Sequence, residues 1–105
     1  MDAHKEKLEE QIRRLTAEFL ERESNRDALV TVTQAILSPD TKNATVYISV
    51  LPETKEKAVL DFAKRLRPEM RTYLKEHIRS RMIPFIEVEI DLGEKHRQKI
   101  DNLLR

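Results

Sequence analysis

The run Glu53–Met82, ETKEKAVLDFAKRLRPEMRTYLKEHIRSRM, decides how the rest of the chain must be arranged. Apolar residues recur at Val59, Phe62, Ala63, Leu66, Met70, Tyr73, Leu74, Ile78 and Met82, the three-and-four spacing of one buried helical stripe. A second stripe is basic: Lys64, Arg67, Arg71, Lys75 and Arg79 share a neighbouring face. Pro68 interrupts both. It has no N–H for the Lys64 carbonyl, and its ring disfavours helical geometry at Arg67. An interior proline costs roughly 3 kcal/mol, so the run is expected to be two helices meeting at a kink.

On the N-terminal side, Asn43–Leu51 alternates cleanly, with Ala44, Val46, Ile48 and Val50 pointing one way and Thr45, Tyr47 and Ser49 the other. That is a strand with one buried and one wet face. Leu29–Leu37, rich in valine and threonine, pairs with it as a hairpin across the Ser38-Pro39-Asp40-Thr41 turn. Ahead of the hairpin, about Ala3 to Glu23 forms a helix with Leu8, Ile12, Leu15, Phe19 and Leu20 as its apolar stripe, ended by Ser24-Asn25-Arg26-Asp27. Thr54 is placed to cap the long helix, with Glu53, Glu56 and Asp61 near its positive end. On the C-terminal side, Pro84–Asp91 is a third strand, with Ile86, Val88 and Ile90 inward and Glu87, Glu89 and Asp91 outward. Gly93 ends it, and Glu94–Leu104 closes the chain as a short helix with Ile100, Leu103 and Leu104 as apolar contacts.

At 105 residues, with 39% hydrophobic and 37% charged residues, residues 1–105 are expected to form one α+β domain around a modest core. No apolar run is long enough to span a membrane. The opening MDAHKEKLEE is acidic and lacks the apolar core of a signal peptide. Without cysteine there is neither a disulfide framework nor thiolate chemistry, which fits the cytoplasm. The net charge of +1 hides an uneven distribution. From Lys64 to Arg81, seven basic residues (Lys64, Arg65, Arg67, Arg71, Lys75, Arg79, Arg81) stand against two acidic ones, +5, and the remainder carries 13 basic and 17 acidic residues, −4. Such a concentration suggests a localised polyanion contact, although a solvated helix face is open on charge alone. Helix physics accounts for part of it, since cations suit the C-terminal end of the helix dipole.

Leu29-Val-Thr-Val-Thr33, Ser38-Pro39-Asp40 and Ala44-Thr-Val-Tyr-Ile-Ser-Val-Leu51 closely resemble the hairpin of the ribosome-binding factor A family. Ile83-Pro84 before a strand, and Asp91 followed by Ile100-Asp-Asn-Leu-Leu104, resemble that family's third strand and closing motif. The resemblance runs in order along nearly the whole chain. It implies a KH-like (type II-like) α+β domain, α-β-β-α(kink)α-β with a short C-terminal helix and a three-stranded sheet with helices on one face. A monomer without a cofactor is expected, and the resemblance further implies a cytoplasmic, non-enzymatic assembly factor. Such a factor binds the free small (30S) ribosomal subunit and its 16S rRNA and assists late rRNA maturation. The family usually has an Ala-x-Gly kink where this chain has Leu66, Arg67 and Pro68, and carries Pro and Gly in the loop where this chain has Asn25 and Ala28. No counterpart of the basic C-terminal tail of some members is seen up to Arg105.

One glycine rules out the Gly-x-x-Gly clamp by which many KH domains hold single-stranded RNA. The open sheet face offers Tyr47 but few other aromatics, and Glu87, Glu89 and Asp91 there would repel phosphate. RNA is therefore expected on the helices, where Lys64, Arg65, Arg67, Arg71, Lys75, Arg79 and Arg81 favour backbone and shape recognition over base reading. Alternate carboxylates on a strand without a matching histidine are a solvated face, not a metal site. His4, His77 and His96 are scattered, and no serine or glycine-rich motif supports catalysis. The competing class is an α+β protein-interaction module without direct RNA binding, whose basic stripe is only solvated.

Overall fold

The computed structural model describes residues 3–24 and 27–104. Asn25 and Arg26, assigned above to the turn after the first helix, lie outside the described residues. Helix α1 spans Ala3–Glu23, and strands β1 (Leu29–Leu37) and β2 (Asn43–Leu51) follow. Helices α2 (Glu56–Arg65) and α3 (Arg67–His77), strand β3 (Phe85–Ile90) and helix α4 (Leu92–Leu104) complete the order. The sheet runs β1-β2-β3, with β1 antiparallel to β2 and β3 parallel to it. A parallel neighbour requires a crossover, and the α2–α3 pair supplies it. Among the described residues, no helix is long and apolar enough to cross a membrane.

The alternation in β2 holds residue by residue: Ala44, Val46, Ile48 and Val50 are buried, while Thr45, Tyr47 and Ser49 are half-buried on the other face. Strand β1 alternates less simply. Val32 pairs with Ile48 and Gln34 with Tyr47, so Thr33 is an extra residue in a bulge. The bulge resets the parity, and burial passes from Val32 to Ala35 and Leu37. One face of the sheet is covered by α1, α2 and α3, whose Ile12, Leu15, Ala63, Met70 and Leu74 join the sheet residues in a single core. Helices α1 and α3 meet through Phe19 and Tyr73, ring centroids 5.7 Å apart.

Four local expectations are corrected. Thr54 is not a cap: it lies inside a short 3-10 turn, Glu53–Lys55, and α2 starts after Lys55 with no side-chain cap bond. The long helix stops at His77, where Ile78 turns extended (φ −117°, ψ 126°), so Arg79, Arg81 and Met82 are not helical. Ile78 and Ile83 are both buried and anchor the connection to β3, while Met82 is 62% exposed. Gly93 does not end β3; it sits in the first turn of α4, which begins at once because Asp91 caps it. Ile100 (56% exposed), Leu103 (86%) and Leu104 (80%) are not apolar contacts of the core. Helix α4 instead turns Lys95, Gln98, Lys99 and Asn102 toward Ser49, Val50 and Ile90. That end of the sheet presents Glu53 and Glu56, and Lys95 Nζ lies 3.0 Å from a carboxylate oxygen of each.

Candidate nucleic-acid interface

The break in the long helix falls at Leu66 (φ −92°, ψ 7°), two residues before the proline. Leu66 N–H donates to the Ala63 carbonyl at 3.1 Å, and its own carbonyl accepts from Met70 N–H at 2.8 Å. Arg67 is helical after all, as the first residue of α3, and Pro68 is the second. A helix start leaves its first N–H groups without intrahelical partners, so a proline there forfeits no bond. The Lys64 carbonyl, which a continuous helix would give to residue 68, accepts from Arg67 Nε at 2.9 Å. Arg67 thus closes the bend that Pro68 tolerates.

From that bend the basic side chains spread along the free edge of β3. Lys64, Arg65, Arg67, Arg71 and Lys75 line one open groove with Pro68, Thr72, Phe85, Ile86 and Glu87. Arg79 and Arg81 lie beyond α3, exposed in the connection to β3, and do not line it. Two of the arginines are tied to the fold. Arg67 Nη1 is 2.8 Å from Glu87 Oε2, with both side chains substantially exposed. Arg71 donates from Nε and Nη2 to the Ile83 carbonyl at 3.2 and 3.0 Å, and its guanidinium lies over the Phe85 ring, 4.1 Å from the centroid. Among the described residues, Arg67 is the one of the seven cations with a carboxylate within ion-pair distance. The groove therefore sets five cations against Glu87 alone. Exposed pairs such as Arg67–Glu87 are worth at most about 1 kcal/mol, so Glu87 is a weak competitor for a polyanion.

The acidic residues of β3 do not act as a trio. Among the described residues no cluster of histidine and carboxylate is arranged for a metal ion. Asp91 departs most from the solvated face assigned to it above. Its Oδ2 accepts from the Thr33 hydroxyl at 2.5 Å and its Oδ1 from the Glu94 N–H at 3.0 Å. Thr33 lies 3.3 Å from the Tyr47 carbonyl as well, but a hydroxyl has one proton and the nearer carboxylate takes it. These bonds, the Thr33 hydroxyl foremost, hold the Asp91 carboxyl below the usual carboxylate range. The bulged residue of β1 is thereby fastened to the start of α4. His77 is exposed at the end of α3 and donates from Nδ1 to the Tyr73 carbonyl at 2.8 Å, since a carbonyl can only accept.

Two features of this region went unread in the sequence. Phe85 shares parity with Glu87 and Glu89, which already places it on the outer side of β3, yet its use as a seat for Arg71 depends on how α3 passes the strand. The Thr33–Asp91 bond spans 58 positions and needs the bulge, for which the valine–threonine run gives no sign.

A three-stranded mixed sheet covered on one face by α1 and a broken helix pair, with a short C-terminal helix, defines an α+β domain of the KH-like (type II-like) class. The sequence profile of ribosome-binding factor A matches residues 4–104. The chain is 31% identical over 104 residues to ribosome-binding factor A of Natranaerobius thermophilus, covering 96% of this chain and 79% of that one. It is 35% identical over 101 residues to the same factor of Desulfitobacterium hafniense, covering 95% and 79%. The crystal structure of ribosome-binding factor A from Thermus thermophilus superposes with a TM-score of 0.74 at 28% identity, over 82% of this chain and 93% of that one. A homology model of the Thermus thermophilus factor, fitted into a cryo-EM map of a 30S complex, gives 0.69 at 27% identity, over 79% and 90%. The chain belongs to the ribosome-binding factor A family.

Proposed function

We propose that this chain binds the free small (30S) ribosomal subunit and its 16S rRNA, as a cytoplasmic monomer, and assists late maturation of that RNA. The observation that carries this reading is the groove in which Lys64, Arg65, Arg67, Arg71 and Lys75 meet with one opposing carboxylate. The fit of the Thermus thermophilus factor into a 30S complex supports the choice of partner. Arg79 and Arg81 extend the positive surface from the connection after α3. Binding is through phosphate and shape, because lysine and arginine neutralise phosphates without reading sequence. Lys64, Lys75 and Arg79 are the informative positions, since Arg67 and Arg71 also hold the fold together. Replacing each of the three by Glu weakens binding to purified 30S subunits, and the slope of log affinity against log salt falls by roughly one for each lost phosphate contact. An unchanged slope in the triple variant refutes the reading.

The second reading, a protein-interaction module, draws on the exposed Leu92, Ile100, Leu103 and Leu104 of α4. It calls for subunit binding that is indifferent to salt and lost on replacing those residues by Ser.

A further inference from the structure

Of the chain's five aromatic residues, Phe85 alone is exposed, at 59%. It stands in the cationic groove, at the first position of β3, and its backbone is held by the sheet. Its N–H donates to the Lys42 carbonyl at 2.9 Å, and its backbone pairs with Asn43 at the head of the β2–β3 ladder. The ring is backed by the Arg71 guanidinium at 4.1 Å, and that guanidinium is itself held by two hydrogen bonds to the Ile83 carbonyl. A fixed aromatic plane backed by a fixed cation, with most of its surface in water, has the form of a stacking platform. An RNA strand brings both complements at once, with phosphates for Lys64 and Lys75 and the π-face of an unpaired base for Phe85.

We propose that Phe85 stacks one unpaired RNA base at the mouth of the groove. This rests on the RNA reading above and adds to it a preference for a single-stranded or bulged element over a continuous duplex. Stacked duplex bases present no free face, whereas any unpaired base does, so the contact is tolerant of sequence.

The chain contains no tryptophan, so Phe85→Trp introduces a single fluorophore at the platform. The probe is a single-stranded RNA of about 12 nucleotides, the span a small domain covers, with a duplex of the same length as control. Stacking predicts that the Phe85→Trp protein keeps its affinity for the single strand and that its indole emission is quenched at saturation. Phe85→Leu, which keeps the apolar bulk without the ring, binds the single strand roughly five- to a hundred-fold more weakly, the worth of one stacked base. Its salt slope is unchanged, because no charge is removed, and its affinity for the duplex matches the parent's. Parental single-strand affinity in Phe85→Leu, or unquenched indole emission from Phe85→Trp at saturation, overturns the proposal. If Lys64→Glu/Lys75→Glu loses binding while Phe85→Leu does not, the platform fails and the cationic groove stands. If neither variant changes binding, the RNA reading fails and takes the platform with it.

Discussion

Helices α3 and α4 carry the same kind of sequence pattern and end in opposite relations to the core. In α3, Met70 and Leu74 are fully buried against the sheet and α1, and the charged residues lie outside. In α4, Leu92, Ile100, Leu103 and Leu104 lie outside and the inward face is polar. Amphipathic spacing says which residues share a face, but the remainder of the molecule decides which face turns inward. Helix α3 runs between a strand and a helix that both offer aliphatic side chains. Helix α4 arrives at a core already closed, beside two glutamates that suit a lysine. The largest effect is therefore expected in α3. Leu74→Ala should cost about 2–5 kcal/mol in urea unfolding, the loss of a buried leucine plus the cavity left behind. A cost below about 1 kcal/mol would mean that α3 is no better packed than α4.

If α4 is held by polar contacts, removing its cap should loosen it while leaving the core in place. Asp91→Ala removes the acceptor for the Glu94 N–H and for the Thr33 hydroxyl. A loss of about 1–2 kcal/mol is expected at neutral pH, with faster amide exchange confined to the start of α4. The acid dependence follows from the sign of the shift. The carboxyl sits below its ordinary value in the folded chain, so its contribution is complete above the unfolded value of about 3.9 and is lost as pH falls through the lower folded value. The gap between parent and Asp91→Ala should therefore narrow as the pH is taken below about 4, the unfolded value. A gap that does not narrow on acidification would show that the carboxylate charge is not what fastens α4.

The same contrast explains how much could be read from residues alone. The bounds of β1, β2 and α1 were legible to the residue, because their apolar periods are strong and their ends carry turn chemistry, but the bulge inside β1 was not. The buried stripe through Ala63, Met70, Leu74 and Ile78 was legible for the same reason. The stripe could not reveal that the chain leaves the helix at His77. Ile78 serves either a helix or an extended anchor, and what selects the anchor is the distance back to β3. The break expected over Leu66, Arg67 and Pro68 falls at Leu66, and what was not legible is that an arginine side chain stabilises the bend by reaching the Lys64 carbonyl. Of the seven basic residues, Lys64, Arg65, Arg67, Arg71 and Lys75 do come together, because they sit on two consecutive helices flanking one strand edge. Arg79 and Arg81 were grouped with them by a helical register that ends before either is reached. Asp91 was misread because a carboxylate that follows a strand and one that starts a helix look alike until the helix start is known.

The smallest expected effect is the sharpest test of the comparison. Leu103 is the most exposed large apolar side chain among the described residues. Leu103→Ser should change stability by no more than about 0.5 kcal/mol, the usual range for a surface position. The same kind of substitution in α3, at Leu74, would be severe. A loss above about 1 kcal/mol for Leu103→Ser would place that side chain against something in solution. That neighbour is either the domain itself or a second copy, and concentration dependence of the unfolding midpoint separates these two. A null result instead leaves α4 as a helix held by its cap and its lysine, with its apolar side available. Its failure to move stability would then locate any effect of the same substitution on subunit binding in the contact with the subunit.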